Sequence, residues 1–261
     1  MPWNNIDILE ELFIQKGDTI AALITEPICV NAGSIMPAPG YLQKVRELCD
    51  KYHVVLIFDE VITGFRVGLG GAQTLFGVTP DLTILGKAIA GGGVPVAALA
   101  GKKEIMQLLV DKKVIHAGTF NGYPLGAAAV KATLDILSRN QGEALVHMNE
   151  KMSVIHKLLK DRADYFELPL VIQGPPGCAS YHCTLETLLE PSSYTPELML
   201  LDIVLNTNLA KAGILVSTFS RLYPNIMLSH ADIEWFENHI DKALLATKDV
   251  YEELNYVDTK E

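Results

Sequence analysis

The chain has 261 residues, 49% of them hydrophobic and 20% charged, a balance that excludes a disordered or collagen-like polypeptide. Its 31 acidic residues outnumber 21 basic ones, and the resulting formal charge of −10 repels a nucleic-acid backbone and favours a small-molecule partner. The apolar runs are strand-sized, far short of the ~18–20 residues that cross a bilayer, so no membrane segment is expected.

Residues 20–25 read as a buried strand, and residues 41–52 place Leu42, Val45, Leu48, Cys49 and Tyr52 on one helical stripe. A second strand, 54–58, follows at once, and a strand, helix, strand unit of this kind joins parallel strands. A third run, 82–85, lies beyond the Gly-rich stretch 64–77, and a fourth, 94–100, follows Gly91-Gly92-Gly93 closely enough to predict an antiparallel edge. Residues 124–137 and 144–159 carry helical spacing. Two alternating segments, 168–172 and 179–184, flank the turn Gly174-Pro175-Pro176-Gly177, and 213–217 reads as a further short strand. A final helix is predicted from about Asp232, capped by Ser229 or Asp232, toward Leu254. The change in composition places a boundary near residue 138, between an α/β part (1–138) and a smaller α+β part (139–261). Cys29, Cys49, Cys178 and Cys183 lack metal-type spacing, and no signal peptide is read before them. Free thiols in a reducing cytoplasm are therefore expected.

Glu26, Asp59 and Lys87 each stand at the carboxyl end of a predicted strand, the edge at which open parallel sheets bind ligands. A lysine can hold an aldehyde covalently and an aspartate can keep a pyridine nitrogen protonated, which together are what pyridoxal 5'-phosphate requires. Singly, each residue is more often a solvated loop charge, and it is the combination that points to a site. The seven histidines add little, and His116 reads as a loop residue.

The run Leu56-Ile57-Phe58-Asp59-Glu60-Val61-Ile62-Thr63-Gly64-Phe65-Arg66, then Pro80-Asp81-Leu82-Thr83-Ile84-Leu85-Gly86-Lys87 and Gly91-Gly92-Gly93-Val94-Pro95-Val96, resembles the class III aminotransferases. The likeness extends upstream to Glu26-Pro27 and downstream through His116-Ala117-Gly118-Thr119-Phe120-Asn121-Gly122-Tyr123-Pro124, about the first half of the chain. It implies the second part of an aspartate-aminotransferase-type (fold type I) large domain followed by a small C-terminal domain. By the same likeness Lys87 is the Schiff-base lysine, Asp59 the partner of the pyridine nitrogen, Val61 the residue against one ring face, and Glu26 a hydrogen-bonding neighbour of the ring. Thr119 would bind a phosphate, in this family that of the neighbouring subunit's cofactor, which implies a homodimer. Its alternative reading is a helix cap.

Many family members carry a glutamate at the position of Asn31 that neutralises a substrate-binding arginine. The Asn31 stretch instead looks like the branch around glutamate-1-semialdehyde aminomutase. Arg221 stands where the family sometimes places a carboxylate-binding arginine. Class III enzymes also carry a large preceding segment with a phosphate-binding loop and a ring-stacking aromatic residue. Only about 20 residues precede the Glu26 strand here, so a fragment, a shortened gene product or one subunit of a split enzyme is expected, with a partner chain supplying the rest. The expected activity is amino-group transfer, by an aminotransferase or an aminomutase, between small-molecule amino donors and acceptors. The alternatives are a decarboxylase or racemase with the same cofactor, or a non-catalytic scaffold that retains the fold.

Overall fold

The structure, a computed structural model, describes residues 1–217 and 220–258, with side chains as far as 253. It comprises two compact units, one of residues Met1–Ile28 and Pro37–Leu145, the other of Cys29–Met36 and Val146 onward.

In the first unit, helix α1 (Ile6–Lys16) is opened by Asn5, whose Oδ1 accepts from Ile8 N at 3.0 Å. Strand β1 (Ala22–Thr25) leads through helix α2 (Tyr41–Lys51) to β2 (Val55–Glu60), and the short helix α3 (Gly71–Phe76) leads on to β3 (Leu82–Leu85). β4 (Ala98–Gly101), α4 (Lys103–Val110) and α5 (Pro124–Leu137) complete the unit. The sheet order is β1-β2-β3-β4, the first three strands parallel and β4 antiparallel to β3, as the close spacing of the last two runs predicts. One face packs on α1 and α2: Leu9, Phe13, Leu42, Val45, Leu48 and Cys49 close over Leu56 and Phe58 in a single core. The run 94–100 pairs only from Ala98 onward.

Buried Asp81 locks β3 to its neighbours. Leu56 N and Arg46 Nη1 donate to its Oδ2 at 2.7 and 3.0 Å, and Lys102 Nζ reaches Oδ1 at 2.6 Å. Burial alone would raise the pKa of this carboxyl, but the hydrogen bonds from Lys102, Leu56 N and Arg46 outweigh it and hold the group below its usual range.

The second unit contains most of α6 (Glu143–Tyr165), the two-stranded antiparallel pair β5 (Val171–Gln173) and β6 (Ser180–His182), α7 (Pro196–Lys211) and α8 (His230–Asp258). Leu159, Leu168, Leu170, Tyr181, Leu205, Ile240 and Leu244 form its core. The segment Cys29–Met36 belongs here because its polar groups are used here: Gln173 Nε2 donates to Gly33 O at 2.7 Å, and Ser34 Oγ donates to Cys178 O at 2.8 Å. Asp202, also fully buried, accepts from Cys183 N at 2.8 Å and Tyr194 Oη at 3.0 Å and lies 2.7 Å from His182 Nδ1. Ser229 caps α8, exchanging hydrogen bonds with Asp232 (Asp232 N to Ser229 Oγ 3.2 Å, Ser229 N to Asp232 Oδ2 2.8 Å). The helix itself begins at His230, two residues before Asp232.

The expected strand at 213–217 does not form. Ile214 is buried in the core of the second unit, Val216 packs against it and Leu215 is 92% exposed, so the alternation finds a core face; among the described residues, however, only Ser217 makes an isolated bridge, to Arg221, and no ladder forms. All four cysteines are free thiols, and no helix among the described residues is long and apolar enough to cross a membrane.

On α6, burial pushes the pKa of His156 from 6.5 down to about 4, and its Nε2 has no hydrogen-bond partner among the described residues. The fold therefore holds the neutral ring, whose stabilising effect is complete above pH 6.5 and is lost as pH falls toward 4, a difference of roughly 3 kcal/mol. In urea unfolding at pH 7 and pH 4, the gap between wild type and His156→Leu should narrow or reverse by about that amount. A gap independent of pH would contradict the assignment.

Candidate functional site

The site is built on the carboxyl edge of the parallel strands. Thr25 is in register with Phe58, so Glu26 follows at the level of Asp59, and Asp59 in turn is in register with Ile84, three residues before Lys87. Glu26, Asp59 and Lys87 thus emerge from three adjacent parallel strands at one edge, as their positions in the sequence predict.

Alternation along β2 divides its ends between two faces. Val55, Ile57 and Asp59 are half-buried, whereas Leu56, Phe58 and Glu60 are buried. The Asp59 face carries the cross-strand rows Ile24, Ile57, Leu82 and Asp59, Ile84, Leu99. It is apolar and partly open: Ile24 is 60% and Leu99 39% exposed. Among the described residues, the Asp59 carboxylate accepts from Val61 N (Oδ1, 3.0 Å). Val61 packs over Gly86, where an added Cβ would lie 3.3 Å from Val61 Cγ1. An apolar side chain therefore packs against the residue that precedes Lys87.

Lys87 opens a single 3-10 turn, Lys87–Ala90, that is fixed by buried Ile89 and Ala90. Its own backbone lies at φ 44°, in the left-handed region that L-residues other than glycine and asparagine rarely occupy, and its side chain is exposed. Strain at a reactive residue is a recurrent feature of functional sites. The amine, the carboxylate and the apolar side chain of Val61 fit the chemistry of pyridoxal 5'-phosphate: a group to bond the aldehyde, a group to hold the ring proton, and a surface for the ring face.

Thr119 is placed differently. It lies on the connection from α4 to α5, where residues 111–122 are all exposed, and its side chain makes no hydrogen bond among the described residues. It does not cap α5, which follows Tyr123 with Pro124 at its first position. Nearby, a groove of about 790 Å³ is lined by Val96, His116, Phe120, Tyr123 and Lys131. In the second unit, Arg221 Nη1 donates to Asn31 Oδ1 at 2.6 Å and to Tyr223 Oη at 3.3 Å, so the two residues singled out on either side of the sequence meet.

Sequence reasoning passed over Glu60. It is fully buried, and its carboxylate accepts from Thr63 Oγ1 (2.9 Å), Ala72 N (2.6 Å), Gln73 N (3.2 Å) and Gln73 Nε2 (3.1 Å). The signal was available: on an alternating strand whose apolar members are Leu56 and Phe58, position 60 falls on the core face, where a carboxylate needs donors waiting for it.

Comparison with known proteins places this arrangement among relatives. The family model for class-III aminotransferases matches residues 3–244. A glutamate-1-semialdehyde 2,1-aminomutase from Methanospirillum hungatei is 51% identical over 143 residues, 54% of this chain and 34% of the relative. The same-named protein from Polynucleobacter necessarius subsp. necessarius is 43% identical over 196 residues, 74% of this chain and 44% of the relative. Among solved structures, an omega-transaminase from Sphaerobacter thermophilus superposes with a TM-score of 0.87 at 27% identity, covering 95% of this chain and 57% of that one. The chain thus spans between a third and a half of the curated relatives it matches.

The strain at Lys87 gives a direct test. Lys87→Gly relieves the left-handed backbone and Lys87→Ala does not, so the glycine variant should be the more stable of the two by about 1 kcal/mol in chemical unfolding. Equal stability, or a more stable alanine variant, would show that the turn is not strained.

Proposed function

The chain belongs to the class-III aminotransferase family, and from that premise we propose that it carries the lysine-and-aspartate half of a pyridoxal 5'-phosphate site catalysing amino-group transfer on an amino acid or an amino aldehyde or ketone. The observation that carries the reading is the placement of Asp59 and Lys87 at one edge of adjacent parallel strands, with Val61 packed over Gly86, the residue before Lys87. The resemblance to relatives named glutamate-1-semialdehyde 2,1-aminomutase favours an aminomutase-like reaction, in which the amino group returns to a neighbouring carbon of the same molecule.

When bound, the cofactor supplies an aldehyde carbon and a protonated ring that takes up electron density released as a bond to the substrate Cα breaks. Lys87 Nζ is the amine that would hold the cofactor through its aldehyde, and as a free amine it would serve as the base that moves the proton at the substrate Cα. Asp59, on the accessible face of the sheet, would hold the ring nitrogen in its protonated form by a charge-assisted hydrogen bond. Val61 would supply an apolar surface for one face of the ring, and Glu26 a hydrogen bond at the same edge. Thr119, exposed on its loop, is suited to reach the phosphate of a neighbouring subunit's cofactor, and Arg221, held by Asn31 and Tyr223, to meet a substrate carboxylate.

The partly open apolar face around Ile24 and Leu99 favours completion of the site by further polypeptide, as a homodimer or with a chain equivalent to the part of the relatives not represented here. A decarboxylase or racemase using the same residues remains the alternative within the same chemistry, and a non-catalytic scaffold the alternative outside it.

The experiment is the half-reaction. The chain is mixed with pyridoxal 5'-phosphate and an amino donor, alone and with the unmatched part of the Methanospirillum relative, and pyridoxamine 5'-phosphate is measured. Product is expected, and Asp59→Asn should slow its formation roughly a hundredfold without changing the circular dichroism, because a neutral amide does not hold the ring proton. No product in either mixture would favour the scaffold, and an undiminished rate in Asp59→Asn would remove Asp59 from its role.

A further inference from the structure

We infer that Glu60 is a positioning residue for the cofactor site, one that sets the turn carrying Val61 from the opposite face of the sheet. This rests on the reading of Lys87 and Asp59 above and extends it to a group that touches neither cofactor nor substrate.

The turn after β2 is held by consecutive carboxylates acting from opposite sides. Asp59 accepts from Val61 N on the accessible face, while on the core face Glu60 takes the Thr63 hydroxyl and its main-chain oxygen accepts from Gly64 N at 2.9 Å. The same Glu60 carboxylate then binds Ala72 N, Gln73 N and Gln73 Nε2, so both ends of the excursion from Val61 to Gln73 are pinned to one point at the end of β2. All four of these donors are uncharged groups, a hydroxyl, two main-chain amides and a carboxamide. The turn is consequently specified by directional hydrogen bonds, which fix geometry more narrowly than an ion pair to a flexible side chain.

Two glycines follow from this clamp. A Cβ at Gly71 would lie 2.3 Å from Glu60 Oε2, and one at Gly64 would lie 2.7 Å from Glu60 O and 2.9 Å from Leu85 Cδ2. Gly64 and Gly71 thus let the chain fold back onto Glu60. What the clamp sets is the position of Val61, whose side chain rests on Gly86 immediately before Lys87, and the Val61 N–H that orients Asp59. A glutamine at position 60 has one acceptor oxygen in place of two and presents an NH₂ to donors, so at least one of the four bonds is lost and the turn is free to shift.

The test compares cofactor affinity with stability. The full chain is titrated with pyridoxal 5'-phosphate by visible absorbance, with the complementing polypeptide if the half-reaction needs it, and each variant is melted in parallel. Glu60→Gln should weaken binding at least about tenfold. Asp202→Asn, which disrupts a comparable buried hub in the second unit, should lower the melting temperature and leave affinity unchanged. If Glu60→Gln does not fold, Thr63→Ala removes one donor only and should weaken binding about threefold with the fold retained. Unchanged affinity in the folded Glu60 or Thr63 variant, or an equal loss in Asp202→Asn, would overturn the positioning role while leaving the cofactor reading intact. Absence of binding by wild type would instead overturn the cofactor reading, and the role of Glu60 with it.

Discussion

The end of β2 is the constraint on which the rest depends. Because side chains alternate along a strand, Asp59 and Glu60 must leave the sheet on opposite faces, and each finds the environment its face provides. Glu60 enters the core and is satisfied by four donors from residues 63 to 73, and Asp59 stays on the partly open apolar face, where among the described residues it accepts from Val61 N. A slip of one residue in the register of β2 would turn Asp59 toward the core under α1 and α2 and turn Leu56, Phe58 and Glu60 out of it, destroying both arrangements at once. The core under α1 and α2 and the Asp81 lock on β3 hold that register.

Much of this was legible in the sequence because it depends on local pattern. The apolar runs that became β1, β2 and β3 are short, continuous and bounded by Gly, Pro or charged residues, and α5 spans residues 124–137 as its spacing predicts. The strand ends that carry Glu26, Asp59 and Lys87 followed directly. Helix α7 escaped because apolar residues surround nearly its whole circumference around a single buried aspartate, leaving no one stripe to recognise. The strand expected at 213–217 failed because strand formation needs a partner, which local alternation cannot supply.

The features that were not legible are long-range. That Cys29–Met36 belongs to the second unit is decided by Gln173 and Cys178, some 140 residues away, through bonds to Gly33 and Ser34. The pairing of Arg221 with Asn31 spans a still longer separation. The left-handed backbone at Lys87 has no signature in residue type, since lysine is an ordinary residue there and only the following buried turn forces the conformation.

The central claim is that Lys87 is the residue that bonds the cofactor, and its most direct measurement is chemical. The chain, loaded with pyridoxal 5'-phosphate in the presence of the complementing polypeptide, is reduced with borohydride, digested and mapped by mass spectrometry. A phosphopyridoxyl group concentrated on the peptide containing Gly86-Lys87-Ala88 is the predicted result. A label spread over surface lysines in proportion to their exposure, or confined to another lysine, would contradict the account.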